Sequence, residues 1–285
     1  MKILVLGVTG MLGSAVFKAF SSDPAHEVWG TLRGSAGLRY FPEADRERLL
    51  SGVDVLDQDT LVTAFAQVRP DVAINCVGLI KQLADAKDPL TALPINAMLP
   101  HRLARLCALS GTRLIHVSTD CVFSGRKGGY LENDRSDAED LYGKSKYIGE
   151  LHDLSNAITL RTSIIGHELN SNHSLVDWFL AQQGSVRGFS RAIFSGLPTA
   201  ELARVMKDFV LPHPELNGLY HIAAEPIAKL DLLTLIAGQY GKTIEIRPDS
   251  ALVIDRSLNS ERFTQATGYK APTWPRLIEL MHATR

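Results

Sequence analysis

Three features of this sequence predict an α/β fold built on an open, parallel, doubly wound sheet. Short apolar runs alternate with amphipathic helical stretches as far as about residue 165. The first run, Lys2–Leu6, feeds directly into Gly7-Val8-Thr9-Gly10-Met11-Leu12-Gly13, and a helical pattern over 15–20 follows. A later run, 113–118, closes on Thr119-Asp120, and Tyr142-Gly143-Lys144-Ser145-Lys146 stands one loop beyond it. The pattern is of the Rossmann type. It predicts a main domain over 1–165 and a smaller C-terminal lobe over 166–285, with the segment near 199–223 returning to the main domain.

Each element has its own signal. Strand 2–6 is wholly apolar past Lys2, as a strand covered on both faces should be. Glycines 7, 10 and 13 let the backbone turn tightly and approach a pyrophosphate. The N-terminus of helix 11–22 adds free N–H groups and the positive end of its dipole. The spacing is G-x-x-G-x-x-G rather than G-x-G-x-x-G. A second strand, 27–32, ends at Arg33, where a free ribose 2′-hydroxyl would call for an acid. A cation there suits a 2′-phosphate, so NADPH is expected ahead of NADH. Strand 52–55 carries Asp54 and Val55 at its end, a place where adenine can be read. Helix 58–67 leads into strand 71–75, and the small residues up to Gly78 let a dinucleotide pass. Helix 88–110, strand 112–118, helix 140–154 and strand 157–162 complete the alternation. Ligands of such sheets bind beyond the carboxyl ends of the strands, so the glycine turn, Gly78 and Thr119 are expected in one crevice. Past Gly166, glycines and prolines dominate. Helices over 199–211 and 229–240 and strands over 218–222 and 244–247 remain readable. This half is expected to cover the crevice and select the substrate.

Tyr142 and Lys146 stand at i and i+4, which places both on one helical face. A phenol titrates near pH ~10, and an adjacent ammonium draws that value toward neutrality. Such a phenol is a usable general acid for a carbonyl oxygen that is receiving a hydride. The Thr119 hydroxyl can hold that same oxygen.

Composition removes other classes. A chain of 285 residues that is 45% hydrophobic supports a full core. A formal net charge of −1 gives no electrostatic case for nucleic acid or a membrane surface. No apolar run approaches the ~18 residues of a membrane span. With a strand starting at residue 2, no leader peptide is expected and a cytoplasmic location is. Cys76, Cys107 and Cys121 have no metal-ligand spacing, so no metal is expected, and they read as reduced thiols, the first two buried.

The chain resembles the extended short-chain dehydrogenase/reductases, and among them the dTDP-4-dehydrorhamnose reductase family. The resemblance rests on Gly7–Gly13 and on Ser118-Thr119-Asp120-Cys121-Val122-Phe123-Ser124-Gly125. It continues through Tyr130-Leu131-Glu132, Tyr142 to Lys146 with Gly149-Glu150, and Leu160-Arg161-Thr162-Ser163. It implies reduction of the C4 keto group of a nucleotide-linked 4-keto-6-deoxyhexose, supplying a deoxysugar for surface polysaccharide. Tyr142 would be the proton donor, Lys146 would bind the nicotinamide ribose, and Thr119 would hold the keto oxygen. Cofactor contacts would lie at Gly10, Met11, Leu12, Asp54, Val55, Val77, Gly78 and Leu79, beside the glycine turn with Gly7, Thr9 and Gly13. Asn96 falls where relatives carry an asparagine, with a structural and a catalytic role both open. Two positions depart. Cys121 replaces a usual tyrosine and Ile164 a usual tryptophan, both of which line the sugar in relatives. With Thr119 and Asp120 they make up the expected substrate contacts. The loss of two aromatic walls implies a larger sugar substituent, such as a 2-acetamido group on a UDP-linked hexose.

Three rival readings follow. A 4,6-dehydratase would need a glutamate after Asp120, and Cys121 stands there. A sugar-nucleotide 4-epimerase would use the same tyrosine and lysine. Some relatives are dinucleotide-binding regulatory subunits of another enzyme. The expected partner is a nucleotide sugar, with a homodimer left open. His101 reads as structural. His167, Glu168 and His173 could face the substrate, and Arg187, Arg191, Arg256 or Arg262 could contact a pyrophosphate. One expectation is directly measurable: Arg33→Ala should weaken NADPH about tenfold to a hundredfold and leave NADH nearly unchanged. Titration with both dinucleotides checks it, and tighter NADH binding before any substitution would refute it.

Overall fold

A computed structural model describes residues 1–79 and 87–285. Its strands are β1 (Lys2–Leu6), β2 (Glu27–Leu32), β3 (Leu49–Ser51), β4 (Val72–Asn75), β5 (Arg113–Thr119), β6 (Ala157–Thr162) and β7 (Ile164–Ile165), followed by β8 (Ser185–Phe189), β9 (Ala192–Phe194), β10 (Leu197–Pro198) and β11 (Gly218–His221). Last come β12 (Ile227–Ala228), β13 (Glu245–Asp249) and β14 (Ile254–Asp255). The helices are α1 (Met11–Ser21), α2 (Glu43–Arg46), α3 (Gln58–Val68), α4 (Pro89–Ala92), α5 (Leu99–Ser110), α6 (Leu141–Ile148), α7 (Leu175–Ala181), α8 (Thr199–Val205), α9 (Lys229–Gln239), α10 (Glu261–Thr267) and α11 (Trp274–Ala283). Seven parallel strands form the central sheet in the order β11-β6-β5-β4-β1-β2-β3. The protein therefore has the Rossmann-like sheet that the alternation predicts, and the strand read at 218–222 pairs beside β6.

The two faces follow from the period-2 alternation of side chains. Ile3, Val5, Ile74, Ile115 and Ile158 share a core with Val16, Phe17 and Phe20 of α1 and Leu202 and Val205 of α8. Leu4, Leu6, Ala73 and Leu114 point the other way, to Leu61, Phe65 and Val68 of α3 and Leu103 and Cys107 of α5. Burial of each such large side chain contributes about 1.5–3 kcal/mol. Local chemistry marks the ends. Asp57 caps α3 by accepting from Asp59 N at 2.9 Å, Asp140 caps α6 by accepting from Gly143 N at 2.8 Å, and α5 stops at Gly111, φ 69°.

Three boundaries differ from the sequence reading. The strand expected at 52–55 lies at 49–51, because Gly52 takes φ 82° and ends it, although Val53 N still reaches Leu32 O at 3.2 Å. The helix expected over 88–110 is broken into α4, a π turn at Leu93–Met98 and α5, with prolines at 89, 94 and 100 at the starts of the three pieces. The helix expected to run to 154 stops at Ile148. There Gly149 passes against the π turn, where a Cβ would run into Asn96 O, and Glu150 turns inward. Gly149→Ala should therefore cost about 1–3 kcal/mol in urea unfolding. Gly238→Ala in α9, with open space around it, should stabilise by up to about 1 kcal/mol. Equal effects of the two would overturn the packing argument.

Candidate active site

The N-terminal turn is shaped by contact as much as by conformation. Gly7 ends β1 at φ 81°, and a Cβ on it would meet Val77 Cγ2 at 2.8 Å. A Cβ at Gly13 would run into Gly7 O, so α1 is pressed onto the turn. Gly10 precedes α1, whose first turn has no acidic residue and no side-chain cap. Its leading N–H groups, at Met11 and Leu12, are placed to receive an anion. The residues present therefore fit a dinucleotide pyrophosphate. Past β2 the chain folds back as a 3₁₀ turn, Ser35–Tyr40, and a Cβ at Gly37 would lie 2.8 Å from Thr9 Cγ2. Arg33 is exposed just ahead of that turn, and Arg39 within it stacks 4.9 Å from the Tyr40 ring centre. The sequence reading had no role for Arg39. Asp54 is exposed beyond β3, accepting from Leu56 N at 2.9 Å, and Val55 is buried beside it.

The ends of β4 and β5 collect the remaining groups. Leu79 N donates to Asn96 Oδ1 at 3.0 Å, and Asn96 Nδ2 donates to Ser145 Oγ at 3.3 Å. Ser145 Oγ in turn donates to Tyr142 O at 2.9 Å. Asn96 thus has a structural role: it clamps the π turn to α6 and to the backbone beyond Gly78. A Cβ at Gly78 would lie 3.9 Å from Lys146 Nζ. Lys146 is buried and donates to Val117 O at 2.8 Å. Thr119 Oγ1 accepts from Cys121 N at 3.1 Å and donates to Asp120 Oδ1 at 3.2 Å. The Tyr142 hydroxyl lies beside the Thr119 side chain, which favours its charged form. Gly7, Gly78, Asn96, Thr119, Tyr142 and Lys146 therefore meet at the carboxyl edge of the sheet, as the crevice argument requires.

The electrostatics reverse one expectation. Burial and the neighbouring Cys121 hold the Tyr142 phenol above its ordinary value, and the Thr119 side chain only partly opposes them. Burial pushes Lys146 down to about 8, against the pull of Glu150. In the protein alone the phenol is not drawn toward neutrality, because desolvation outweighs the contacts that favour its charged form. Asp120 is buried and raised by that burial, with Arg256 and Lys229 opposing.

Beyond Thr119, half-buried Cys121 lines a cleft of about 370 Å³ with Phe123, Ser124, Arg126, Asp140 and Arg256. Arg256 Nε donates to Phe123 O at 2.7 Å. Of the four arginines singled out, this one reaches the site. Arg187 pairs with Asp249 at 3.4 Å, Arg262 lies 4.6 Å over the Tyr220 ring and Arg191 is exposed. Ile164 is half-buried in β7 opposite Leu197 and packs against the core. His167 is held between Asp177 at 2.7 Å and Tyr240 at 2.8 Å, Glu168 accepts from His173 N and Ser174 N, and His101 donates to Ile148 O at 2.7 Å. These groups tie elements together rather than face the crevice.

Sequence reasoning missed a buried chain behind the site. Ser118 Oγ donates to Glu150 Oε1 at 2.6 Å, and Arg161 grips the same carboxylate through Nε at 2.8 Å and Nη2 at 2.5 Å. Arg161 Nη1 donates to His221 Nε2 at 2.9 Å. The available signal was the Gly-Glu pair after Lys146 together with a lone arginine in an apolar strand. Among the described residues no group of His, Cys, Asp and Glu could hold a metal ion.

Residues 1–277 match the family model described as RmlD substrate binding domain. Methionine adenosyltransferase 2 subunit beta from Pongo abelii is 31% identical over 315 residues, covering 98% of this chain and 89% of that one. A dTDP-4-dehydrorhamnose reductase from Bacillus anthracis, crystallised with NADP, superposes with a TM-score of 0.80 at 21% identity, covering 99% of both chains. A dTDP-glucose 4,6-dehydratase from the same organism, in complex with NAD, gives 0.78 at 16% identity, covering 99% of this chain and 95% of that one.

The Lys146 titration has a readable consequence. Its folded value, about 8, lies below the ordinary lysine value of 10.5, so between those two values the unfolded chain binds more protons. Stability then rises with pH across that window. From pH 8 to 9.5 the wild type should gain about 1–2 kcal/mol relative to Lys146→Met in urea unfolding. Parallel pH dependences of the two proteins would refute the buried-ammonium assignment.

Proposed function

We infer that this chain, which belongs to the RmlD substrate binding domain family, is an NADPH-preferring reductase of the C4 keto group of a nucleotide-linked 4-keto-6-deoxyhexose. The observation that carries this reading is the meeting of Thr119, Tyr142 and Lys146 at the end of β5, facing Gly78 and the glycine turn. A nicotinamide dinucleotide supplies the hydride when bound. The glycine turn and the start of α1 would hold its pyrophosphate, Arg33 its 2′-phosphate, and Lys146 its ribose. Tyr142, fully protonated at neutral pH, gives its proton to the keto oxygen, and the Thr119 hydroxyl holds that oxygen. The phenolate left behind is costly in a buried site, and Lys146 offsets that cost. The substrate would enter by the Cys121 cleft, with Arg256 toward its diphosphate. A cysteine in place of an aromatic wall leaves room for a 2-acetamido group, so a UDP-linked sugar is favoured over dTDP-4-dehydrorhamnose. We place the enzyme in the cytoplasm, upstream of a surface polysaccharide.

A second reading has its own support. The 31% identity to a methionine adenosyltransferase subunit spans nearly the whole chain, which favours a dinucleotide-binding subunit of another enzyme. One panel separates the two. With a set of 4-keto sugar nucleotides, NADPH oxidation should be catalytic. Tyr142→Phe should lower turnover about 10²–10⁴-fold while dinucleotide affinity is kept. Tight dinucleotide binding with no turnover on any member would abandon the reductase for the subunit.

A further inference from the structure

We propose that Arg126 and Arg256 form a two-guanidinium seat for the diphosphate of the sugar nucleotide, and that Glu139 holds Arg126 across the mouth of that seat until the diphosphate displaces it. The inference rests on the reading of the Cys121 cleft as the substrate entrance, and goes beyond it by naming the contact that opens. Both arginines line the cleft. Gly125 brings them together. It takes φ 87°, and a Cβ on it would lie 3.1 Å from Arg256 Cγ, so the stem of Arg256 passes beside the residue that precedes Arg126. Asp255 N donates to Gly125 O at 2.7 Å, and Arg256 Nε donates to Phe123 O at 2.7 Å. These two bonds fix β14 to the loop that carries Arg126. Nε is the one guanidinium nitrogen of Arg256 bonded to a described residue, which leaves the other two for a ligand.

The walls of the cleft are tied to each other, and the contact across its mouth is loose. Ser124 donates to Asp137 through N at 2.7 Å and Oγ at 2.5 Å. Val122 O accepts from Ser136 Oγ at 2.6 Å and from Ala138 N at 3.2 Å. Arg126 Nη2, by contrast, donates to Glu139 Oε1 at 2.6 Å between side chains that are 75% and 72% exposed. Such a pair is weak, because water screens it and two long side chains must be ordered to make it. It opens by side-chain rotation, with no movement of the walls. The other acids nearby do not compete for Arg126. Asp140 accepts from Gly143 N as the cap of α6, and Asp120 is buried, which disfavours its charge. A diphosphate carries more charge than the Glu139 carboxylate and spans two guanidiniums at once, so it outcompetes the closed pair.

Calorimetric titration with UDP and with dTDP tests this, on the full chain with NADP⁺ present to fill the dinucleotide site. Uridine and glucuronate are the probes without a diphosphate. Arg126→Gln should weaken the nucleoside diphosphate about tenfold, and Arg256→Gln by at least as much. Glu139→Gln should tighten it about threefold, because the competing pair is gone. That gain should vanish when Arg126→Gln is already in place. Unchanged affinity in Arg126→Gln overturns the seat. A Glu139→Gln gain that persists without Arg126 overturns the displacement, since it is then a general effect of charge. Absent binding of both nucleotides overturns the proposal, as does Arg126-dependent binding of glucuronate in their place. Both Arg126 and Glu139 are exposed, so their variants fold. Because no turnover is read, failure here leaves the reductase reading standing. The expected binding pattern with no turnover on any 4-keto sugar nucleotide removes that reading alone.

Discussion

The buried pair between Glu150 and Arg161 is the constraint on which the site depends. Both side chains are almost fully buried. Removing two charges from water is repaid only when every remaining donor and acceptor is met. Here they are. Glu150 accepts from Ser118 and twice from Arg161, and Arg161 also donates to His221 Nε2 and lies 4.9 Å from the centre of the Phe123 ring. Since His221 Nε2 accepts, its proton sits on Nδ1, shared between Tyr130 O at 3.1 Å and Asn259 O at 3.2 Å. Burial and the neighbouring guanidinium push this histidine down to about 3, which keeps it the neutral acceptor that Arg161 needs. The chain of contacts links β5, α6, β6 and β11 to the loop at Asn259. Loss of either Glu150 or Arg161 would leave an uncompensated buried charge, a cost of about 3–5 kcal/mol.

The network explains the spacing of the tyrosine–lysine motif as packing. Gly143 sits where a Cβ would run into Cys121 O, and Gly149 where one would run into Asn96 O. Ser145 receives Asn96, and Glu150 receives Arg161. Four of the motif's fixed positions therefore hold α6 close to β5 and the π turn. The same polar layer continues across the sheet. Asn75 Oδ1 accepts from Val77 N, so its NH₂ faces His116 Nδ1 at 3.1 Å and the histidine proton lies on Nε2. Thr159 Oγ1 serves Leu151 at both its N–H and its carbonyl. Directional bonds of this kind fix one register where apolar contact alone would tolerate several.

What was legible in the sequence is what local physics dictates. The glycine turn needs Gly7 at positive φ and Gly13 in the first turn of α1 pressed against Gly7 O, and both stand in an unbroken motif. Strand ends at Gly78 and Thr119 follow from alternation and topology. What escaped depends on distant partners. Nothing near Glu150 in sequence announces Arg161, and nothing near Arg161 announces His221. The direction of the Tyr142 shift was misjudged because helical spacing shows neighbours but not burial, and burial dominates there. Beyond residue 166 short elements such as α7 and α10 lack the length for a clear period, and their apolar residues answer to tertiary neighbours. Arg256 was one of four equivalent arginines until the fold brought it beside Phe123 and Asp120.

A distinction between scaffold and chemistry follows. Gly143, Ser145, Gly149 and Glu150 would be needed by any chain that packs α6 this way, whether or not it turns over a substrate. A match in those positions argues for the fold. Lys146 is different. Its ammonium is buried with one hydrogen bond to Val117 O, and its value is driven down by that burial, so its presence costs stability that an apolar residue of similar length would not. Tyr142, raised by its own burial and set beside Thr119, is in the same position. Groups whose charged forms are disfavoured by burial, beside a glycine turn with free N–H groups, mark a candidate site for a ligand. The same reasoning bears on the two proposed readings. A subunit that only binds a dinucleotide has a use for Lys146 at a ribose, whereas a reductase has a use for Lys146 and for the protonated phenol of Tyr142 beside Thr119.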